Sequence, residues 1–176
     1  KIVEELKNNA HRKEYLPIQG LPELRDAISH YLQKKTGNNY PKENILITPG
    51  SKEAMLLMHI AFKGEIIIPA PGWVSYEPQA QIGSNKVHWL ETSRINNWFP
   101  TSDELEKKIK KIGKKKNLIL ILNSPNNPSG AVCNKLEDLA KVARKYKIIV
   151  LSDEIYTDLI FKNNYDSISK YYPELT

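Results

Sequence analysis

Ile148-Ile149-Val150-Leu151-Ser152-Asp153-Glu154-Ile155-Tyr156 is the stretch that decides the fold. Its four leading apolar residues read as a short buried strand. The strand runs out into a carboxylate, Asp153, and a phenol, Tyr156, so ionisable chemistry is placed at its carboxyl end. Upstream, a second apolar run, Leu118-Ile119-Leu120-Ile121-Leu122, ends in the same way, in Asn123-Ser124-Pro125-Asn126-Asn127-Pro128-Ser129-Gly130. In open α/β sheets the ligand crevice lies outside the carboxyl ends of the strands. Two neighbouring strands of this kind are expected to present Asn127, Asp153 and Tyr156 at one rim.

Outward from this pair the chain alternates strands and helices, without repeats or low-complexity segments. A helix is expected near 1–13, then the Pro17/Gly20 turn. Leu24, Ala27, Ile28, Tyr31 and Leu32 form a helical stripe that Gly37 and Pro41 stop. Ile45–Thr48 reads as a short strand, and Lys52–Ala61 as a helix with Ala54, Leu57, Met58 and Ala61 inward. A buried strand at Glu65–Pro69, a helix at Trp73–Gln81 and a strand at Lys86–Leu90 follow. Thr101-x-x-Glu104 is a capping box that opens the next helix, and Asn134-x-x-Glu137 is read the same way for the helix carrying Leu136, Leu139, Ala140 and Ala143. Strands separated by helices of this length imply right-handed crossovers and a largely parallel sheet covered on both faces.

Composition bounds the class. At 176 residues, 40% hydrophobic and 26% charged, the chain can bury one sizeable core of ordinary globular make-up. Cys133 is the single cysteine, which excludes an internal disulfide and fits a reducing compartment. No apolar run approaches the ~20 residues of a membrane-spanning helix, and the opening Lys1-Ile2-Val3-Glu4-Glu5 is no signal peptide, so the cytoplasm is the expected location. The net charge of +6 and the lysines at 107, 108, 110, 111 and 114–116 invite a nucleic-acid reading. No nucleic-acid fold accompanies them. Leu105, Ile109 and Ile112 fall on one helical face, which makes the lysines its solvated opposite face.

Three further positions could carry chemistry. Gly50-Ser51-Lys52 lies between Ile45–Thr48 and a helix, so backbone amides, a hydroxyl and the positive helix end converge where an anionic phosphate could sit. It is not a Walker loop, and a bare turn is the alternative. Trp73 follows the Pro71-Gly72 turn after a buried strand and either projects into the crevice or packs, as Trp89 and Trp98 are read to do. For Asp153 the alternative is a capping or turn carboxylate; Glu154 is read as structural, pointing the other way.

Taken together the motifs resemble the class I/II aminotransferases of pyridoxal-phosphate fold type I. The resemblance is carried by Tyr15-Leu16-Pro17-Ile18-Gln19-Gly20 with Leu24-Arg25, Thr48-Pro49-Gly50-Ser51-Lys52-Glu53-Ala54, Pro69-Ala70-Pro71-Gly72-Trp73-Val74-Ser75-Tyr76, the Asn-Pro-Ser-Gly segment and Ser-Asp-Glu-Ile-Tyr, five segments in the family's order. It implies an aspartate aminotransferase-like large domain, a three-layer αβα sandwich with a mostly parallel sheet. Residues 1–14 would form a leading helix and 15–176 an incomplete cofactor-binding domain.

The resemblance also implies pyridoxal 5′-phosphate as cofactor. Gly50, Ser51 and Lys52 match its phosphate site, Trp73 the aromatic that stacks on the pyridine ring, Asp153 the partner of the ring nitrogen, and Asn127 with Tyr156 the donors to its phenolic oxygen. Tyr15 matches a tyrosine that reaches across a two-fold dimer to the partner's phosphate; a buried aromatic near a turn is the equal alternative. The family's Schiff-base lysine and its small domain are not found, so the chain reads as a piece that is inactive alone. Ser167-Ile168-Ser169-Lys170 mimics the lysine motif. However, its neighbours Asn163-Asn164-Tyr165-Asp166 and Tyr171-Tyr172-Pro173-Glu174 supply no buried strand, and Lys170 is read as surface. The implied activity is transfer of an amino group between an amino acid and a 2-oxo acid, in a homodimer binding neither nucleic acid nor membrane. A lyase or decarboxylase on the same scaffold, or a non-catalytic phospholigand-binding domain, is the alternative.

Overall fold

A computed structural model describes residues 1–113, 117–161 and 165–176; Lys114–Lys116 of the basic run and Asn163-Asn164 before the Ser-Ile-Ser-Lys segment lie outside them. Four strands, β1 (Glu65–Ala70), β2 (Lys86–Glu91), β3 (Leu118–Asn123) and β4 (Ile149–Asp153), form one sheet in the order β2-β1-β3-β4, every pair parallel. All six residues of β3 are buried, as expected for a central strand with helices on both faces.

Alternation along the strands divides the core into two layers. Ile67, Leu118, Leu120, Leu122 and Val150 point toward α5 (Ser102–Ile112) and α6 (Leu136–Tyr146), whose Leu105, Ile109, Leu139 and Ala143 are buried against them. On the other face Ile66, Ile68, Ile119 and Ile121 meet Met55 of α3 (Ser51–Ala61) and Tyr76 and Ala80 of α4 (Tyr76–Ile82). This is the expected three-layer αβα arrangement. The Thr101/Glu104 capping box is present in both directions, with Glu104 N donating to Thr101 Oγ1 (3.2 Å) and Thr101 N to Glu104 Oε2 (2.8 Å). Leu105 and Ile109 face inward, so Lys107, Lys110 and Lys111 sit on the exposed side of α5.

Several expectations are corrected. The opening helix, α1 (Ile2–Asn9), is shorter than 1–13 and buries nothing. The next helix, α2 (Pro22–Thr36), ends on Gly37 at φ 78°, a left-handed cap that glycine adopts without strain. Its expected stripe is only partly inward: Leu24, Ala27 and Tyr31 are exposed, while Ile28 and Leu32 are half-buried. Polar ties hold α2 instead. Lys35 Nζ reaches Asp158 (2.6 Å) and Thr157 (2.9 Å), and Ser29 Oγ donates to the Tyr40 carbonyl (2.5 Å).

Ile45–Thr48 is not a strand. One backbone bond, Ile47 N to Gln19 O (2.9 Å), attaches it, which is too little for a ladder. In α3 the inward face is Met55 and His59, four residues apart; Leu57 and Ala61, expected inside, are exposed. The Trp73–Gln81 helix starts at Tyr76, leaving Trp73 in the preceding turn. At α6 the N-cap position is Lys135 and no side chain caps it, so the Asn134/Glu137 box does not form. Among the described residues, no helix is long and apolar enough to cross a membrane.

Candidate active site

The pairing of β3 with β4 sets Asn123 opposite Asp153, the last residue of each strand. That register builds the rim. The Asn123 side-chain amide donates to the Asp153 carbonyl (3.0 Å), and Asn123 Oδ1 accepts from Asn127 N (2.7 Å). The loop after β3 is thereby folded back over β4, and the Asn127 amide donates to the Tyr156 hydroxyl (3.2 Å). Asn126 organises the rest of the loop by accepting from Ser129 N (3.1 Å) and Ser129 Oγ (2.7 Å). Asn127, Asp153 and Tyr156 thus meet where the sequence places them.

Across the crevice stands the start of α3. Gly50 precedes it at φ 87°, and space around it is open: nothing lies within 4 Å of where a Cβ would be. No side chain caps this helix. Its first backbone N–H groups therefore remain available, and the positive end of the helix dipole faces the pocket beside the Ser51 hydroxyl and the Lys52 ammonium. Lys52 Nζ also sits 5.5 Å from the centre of the Trp73 ring.

The cavity enclosed by these groups has a volume of about 220 Å³, and its lining includes Gly50, Ser51, Lys52, Trp73, Asn127, Asp153 and Tyr156. Four lining residues were not anticipated: Met55, Tyr76, Asn123 and Ile155. Tyr76 matters most. Its buried hydroxyl donates to Asp153 Oδ2 at 2.6 Å, and burial first, then this bond, drives the phenol's pKa far above its ordinary value. Its spacing from Trp73 within one turn was the available signal. The two rings meet edge to face, 5.5 Å apart at 84°.

Tyr15 takes no part in this cavity. It lies in the coil before α2 and is fully exposed in this chain, at 103%. Glu154 turns away, accepting from Ser152 Oγ (2.7 Å) and Ser167 Oγ (2.6 Å). Lys170 is a surface residue, beside Asp166 (3.4 Å) and the Tyr171 ring, and is not part of the lining. Trp89 packs on the core with Nε1 donating to Glu77 (3.2 Å). Cys133 is buried, and burial pushes its thiol up to about 11, which makes it a poor nucleophile. Among the described residues no group of three or more His, Cys, Asp or Glu could hold a metal. A larger cavity of about 600 Å³ adjoins the site, lined by Val132, Leu159, Ile160 and Phe161 and sharing Asn127 and Tyr156 with it. Among the described residues its walls are mostly apolar and carry no carboxylate or amine, whereas the smaller cavity holds both Asp153 and Lys52.

An uncapped helix start, an indole and a carboxylate at the end of a parallel strand thus line one pocket. Comparison with known proteins gives the family: residues 1–175 match aminotransferase class I and II, and the chain belongs to it. It is 35% identical over 167 residues to an aspartate aminotransferase of Pyrococcus horikoshii, covering 90% of this chain and 40% of that protein. An asparagine–oxo-acid transaminase of Streptococcus mutans is 36% identical over 152 residues, covering 84% of this chain and 38% of the relative. Among solved structures, aspartate aminotransferase from Thermus thermophilus with maleate superposes with a TM-score of 0.91 at 29% identity, over 99% of this chain and 46% of that one. The chain spans about 40% of the length of these curated relatives.

Proposed function

We propose that this chain supplies the cofactor-binding part of a pyridoxal 5′-phosphate-dependent aminotransferase that exchanges an amino group between an amino acid and a 2-oxo acid. The observation that carries the reading is the placement of Asp153 in one pocket with Trp73 and the uncapped start of α3. The donor set suits the cofactor group by group. The α3 amides, Ser51 and Lys52 take the phosphate; Trp73 takes the ring; Asp153 takes the ring nitrogen; and the Asn127–Tyr156 pair takes the ring oxygen.

When bound, pyridoxal 5′-phosphate supplies a conjugated ring that draws electrons from the α-carbon of an amino acid. The chain's residues set the conditions for this. Asp153 holds a proton at the ring nitrogen, since a carboxylate in a shielded site favours the cationic form of its neighbour. Trp73 keeps the ring in one plane, and the helix start and Lys52 fix the phosphate so that the ring cannot slide. The Tyr156 hydroxyl accepts from Asn127, which leaves its own proton free for donation to the ring oxygen. Lys52 is a phosphate neighbour in this arrangement, not the amine of covalent chemistry.

Residues 15–176 form the cofactor domain in this reading, and the protein works in the cytoplasm as a homodimer. In this reading Tyr15, which is exposed, contacts the phosphate bound by a second copy. Relatives named as transaminases at 35–36% identity favour transamination over a lyase or decarboxylase reaction. The test is Asp153→Asn in the intact protein that carries this sequence. Single-turnover loss of the α-proton should slow by orders of magnitude while the cofactor remains bound, and an unchanged rate would remove Asp153 from its assigned role.

A further inference from the structure

Asp153 is held from one side only. Its Oδ1 has a single long contact, with Ile155 N at 3.4 Å, whereas Oδ2 accepts from the Tyr76 hydroxyl at 2.6 Å. The second bond is at the short end for a hydroxyl donor, as expected when the acceptor is a carboxylate. Tyr76 itself is immobilised. It is 1% exposed, belongs to the apolar cluster with Met55, Ile68 and Ile121, and is braced edge-on by Trp73. The final torsion of an aspartate is broad, so a carboxylate with one weak contact would sample many orientations. Tyr76 removes that freedom.

We propose that Tyr76 is a positioning residue for the cofactor: by occupying Oδ2 of Asp153 it presents Oδ1 to the ring nitrogen, and through its contact with Trp73 it ties that orientation to the plane in which the ring is held. The inference rests on the pocket's assignment to pyridoxal 5′-phosphate and extends it to a residue that touches neither phosphate nor ring nitrogen. The phenol stays protonated because burial, and then the Asp153 charge, disfavours its ionisation. It therefore acts on the carboxylate only as a donor. The start of α4 then has a role beyond packing, since the same turn delivers the ring-stacking indole and the carboxylate's anchor.

The experiment uses two ligands without an aldehyde, so that no covalent bond enters the measurement: pyridoxamine 5′-phosphate, and its carbocyclic analogue in which C–H replaces the ring nitrogen. Affinities are read from quenching of tryptophan fluorescence in the intact protein. Wild type should prefer the nitrogen-containing ligand. Tyr76→Phe should lower that preference about tenfold, the effect of one charge-assisted hydrogen bond. Asp153→Asn should lower it as well, and adding Y76F to D153N should change it no further.

The readout is a ratio of two affinities on one preparation, so a shift in the folded fraction cancels from it. A preference unchanged in Y76F, or equal weakening of both ligands, overturns the role of Tyr76 and leaves the cofactor assignment standing. Failure of wild type to bind either ligand overturns the assignment and the inference together. Equal binding of the two by wild type shows that Asp153 does not meet the ring nitrogen, and the inference falls with that contact.

Discussion

Replacing His59 with leucine should make the protein more stable. His59 faces inward from α3 with no exposed surface, and among the described residues neither ring nitrogen has a hydrogen-bond partner. Its backbone is held close to the start of β2. Its backbone carbonyl accepts from the Asn85 amide (2.7 Å), and Gly83 packs so closely that an added Cβ would come within 2.2 Å of that carbonyl oxygen. A buried polar group without a partner costs about 1–3 kcal/mol, and leucine is close enough in size that repacking should offset less than about 1.5 kcal/mol. A leucine also favours helix by a few tenths of a kcal/mol, so His59→Leu should gain between about 0 and 3 kcal/mol near neutral pH.

The pH dependence gives a second, independent reading of the same site. Burial lowers the folded-state pKa of His59 below its ordinary 6.5. Above that value both folded and unfolded forms are neutral and the group has no effect on the equilibrium. As pH falls below it, the unfolded chain binds a proton that the folded chain refuses, and stability declines by up to about 1.4 kcal/mol per pH unit until the folded pKa is reached. Urea unfolding of wild type and His59→Leu at about pH 7.5 and about pH 5 measures both effects. The stability gap should widen at the lower pH. A leucine variant less stable than wild type near neutrality, or a gap that does not grow on acidification, would refute the reasoning.

Thr101→Ala removes the side-chain half of the capping box at α5, the bond from Glu104 N to Thr101 Oγ1, and should cost about 1 kcal/mol in thermal or denaturant unfolding; no loss would mean that this cap contributes nothing to α5. Glu106 is held down to about 2 by the Tyr146 hydroxyl first, then by Lys110 and Lys145. Its depressed pKa means that the support from this cluster is present above the ordinary carboxylate range and is lost as pH falls toward 2, so carboxyl NMR should show it titrating well below the ordinary glutamate range.

The strands were legible because β1, β3 and β4 are near-continuous apolar runs, and a parallel sheet buried on both faces leaves that pattern in sequence. The polar ends of β3 and β4 pointed to one rim for a related reason: in a parallel sheet the ligand crevice lies at the carboxyl ends of the strands. What escaped reading depends on partners distant in sequence. Tyr76 acquires its role from Asp153, 77 positions away. Nothing in its residue type marks His59 as buried, yet it is fully enclosed on the inner face of α3. Ile45–Thr48 has the residues of a strand, but among the described residues its one backbone bond to a distant segment is the bond from Ile47 N to Gln19 O, and pairing, not propensity, makes a strand. Asn134 has the spacing of a cap, yet α6 takes Lys135 as its boundary residue, a shift of one position that no pattern of residue types specifies.

The central claim is that the pocket between α3 and the ends of β3 and β4 holds pyridoxal 5′-phosphate, and a crystal structure of the protein with the cofactor bound tests it most directly. The expected result has the phosphate at Gly50-Ser51-Lys52, the ring against Trp73, the ring nitrogen within hydrogen-bond distance of Asp153 and the ring oxygen beside Asn127 and Tyr156. A cofactor found elsewhere, for instance in the apolar cavity lined by Val132, Leu159 and Phe161, or with its nitrogen turned away from Asp153, would contradict it.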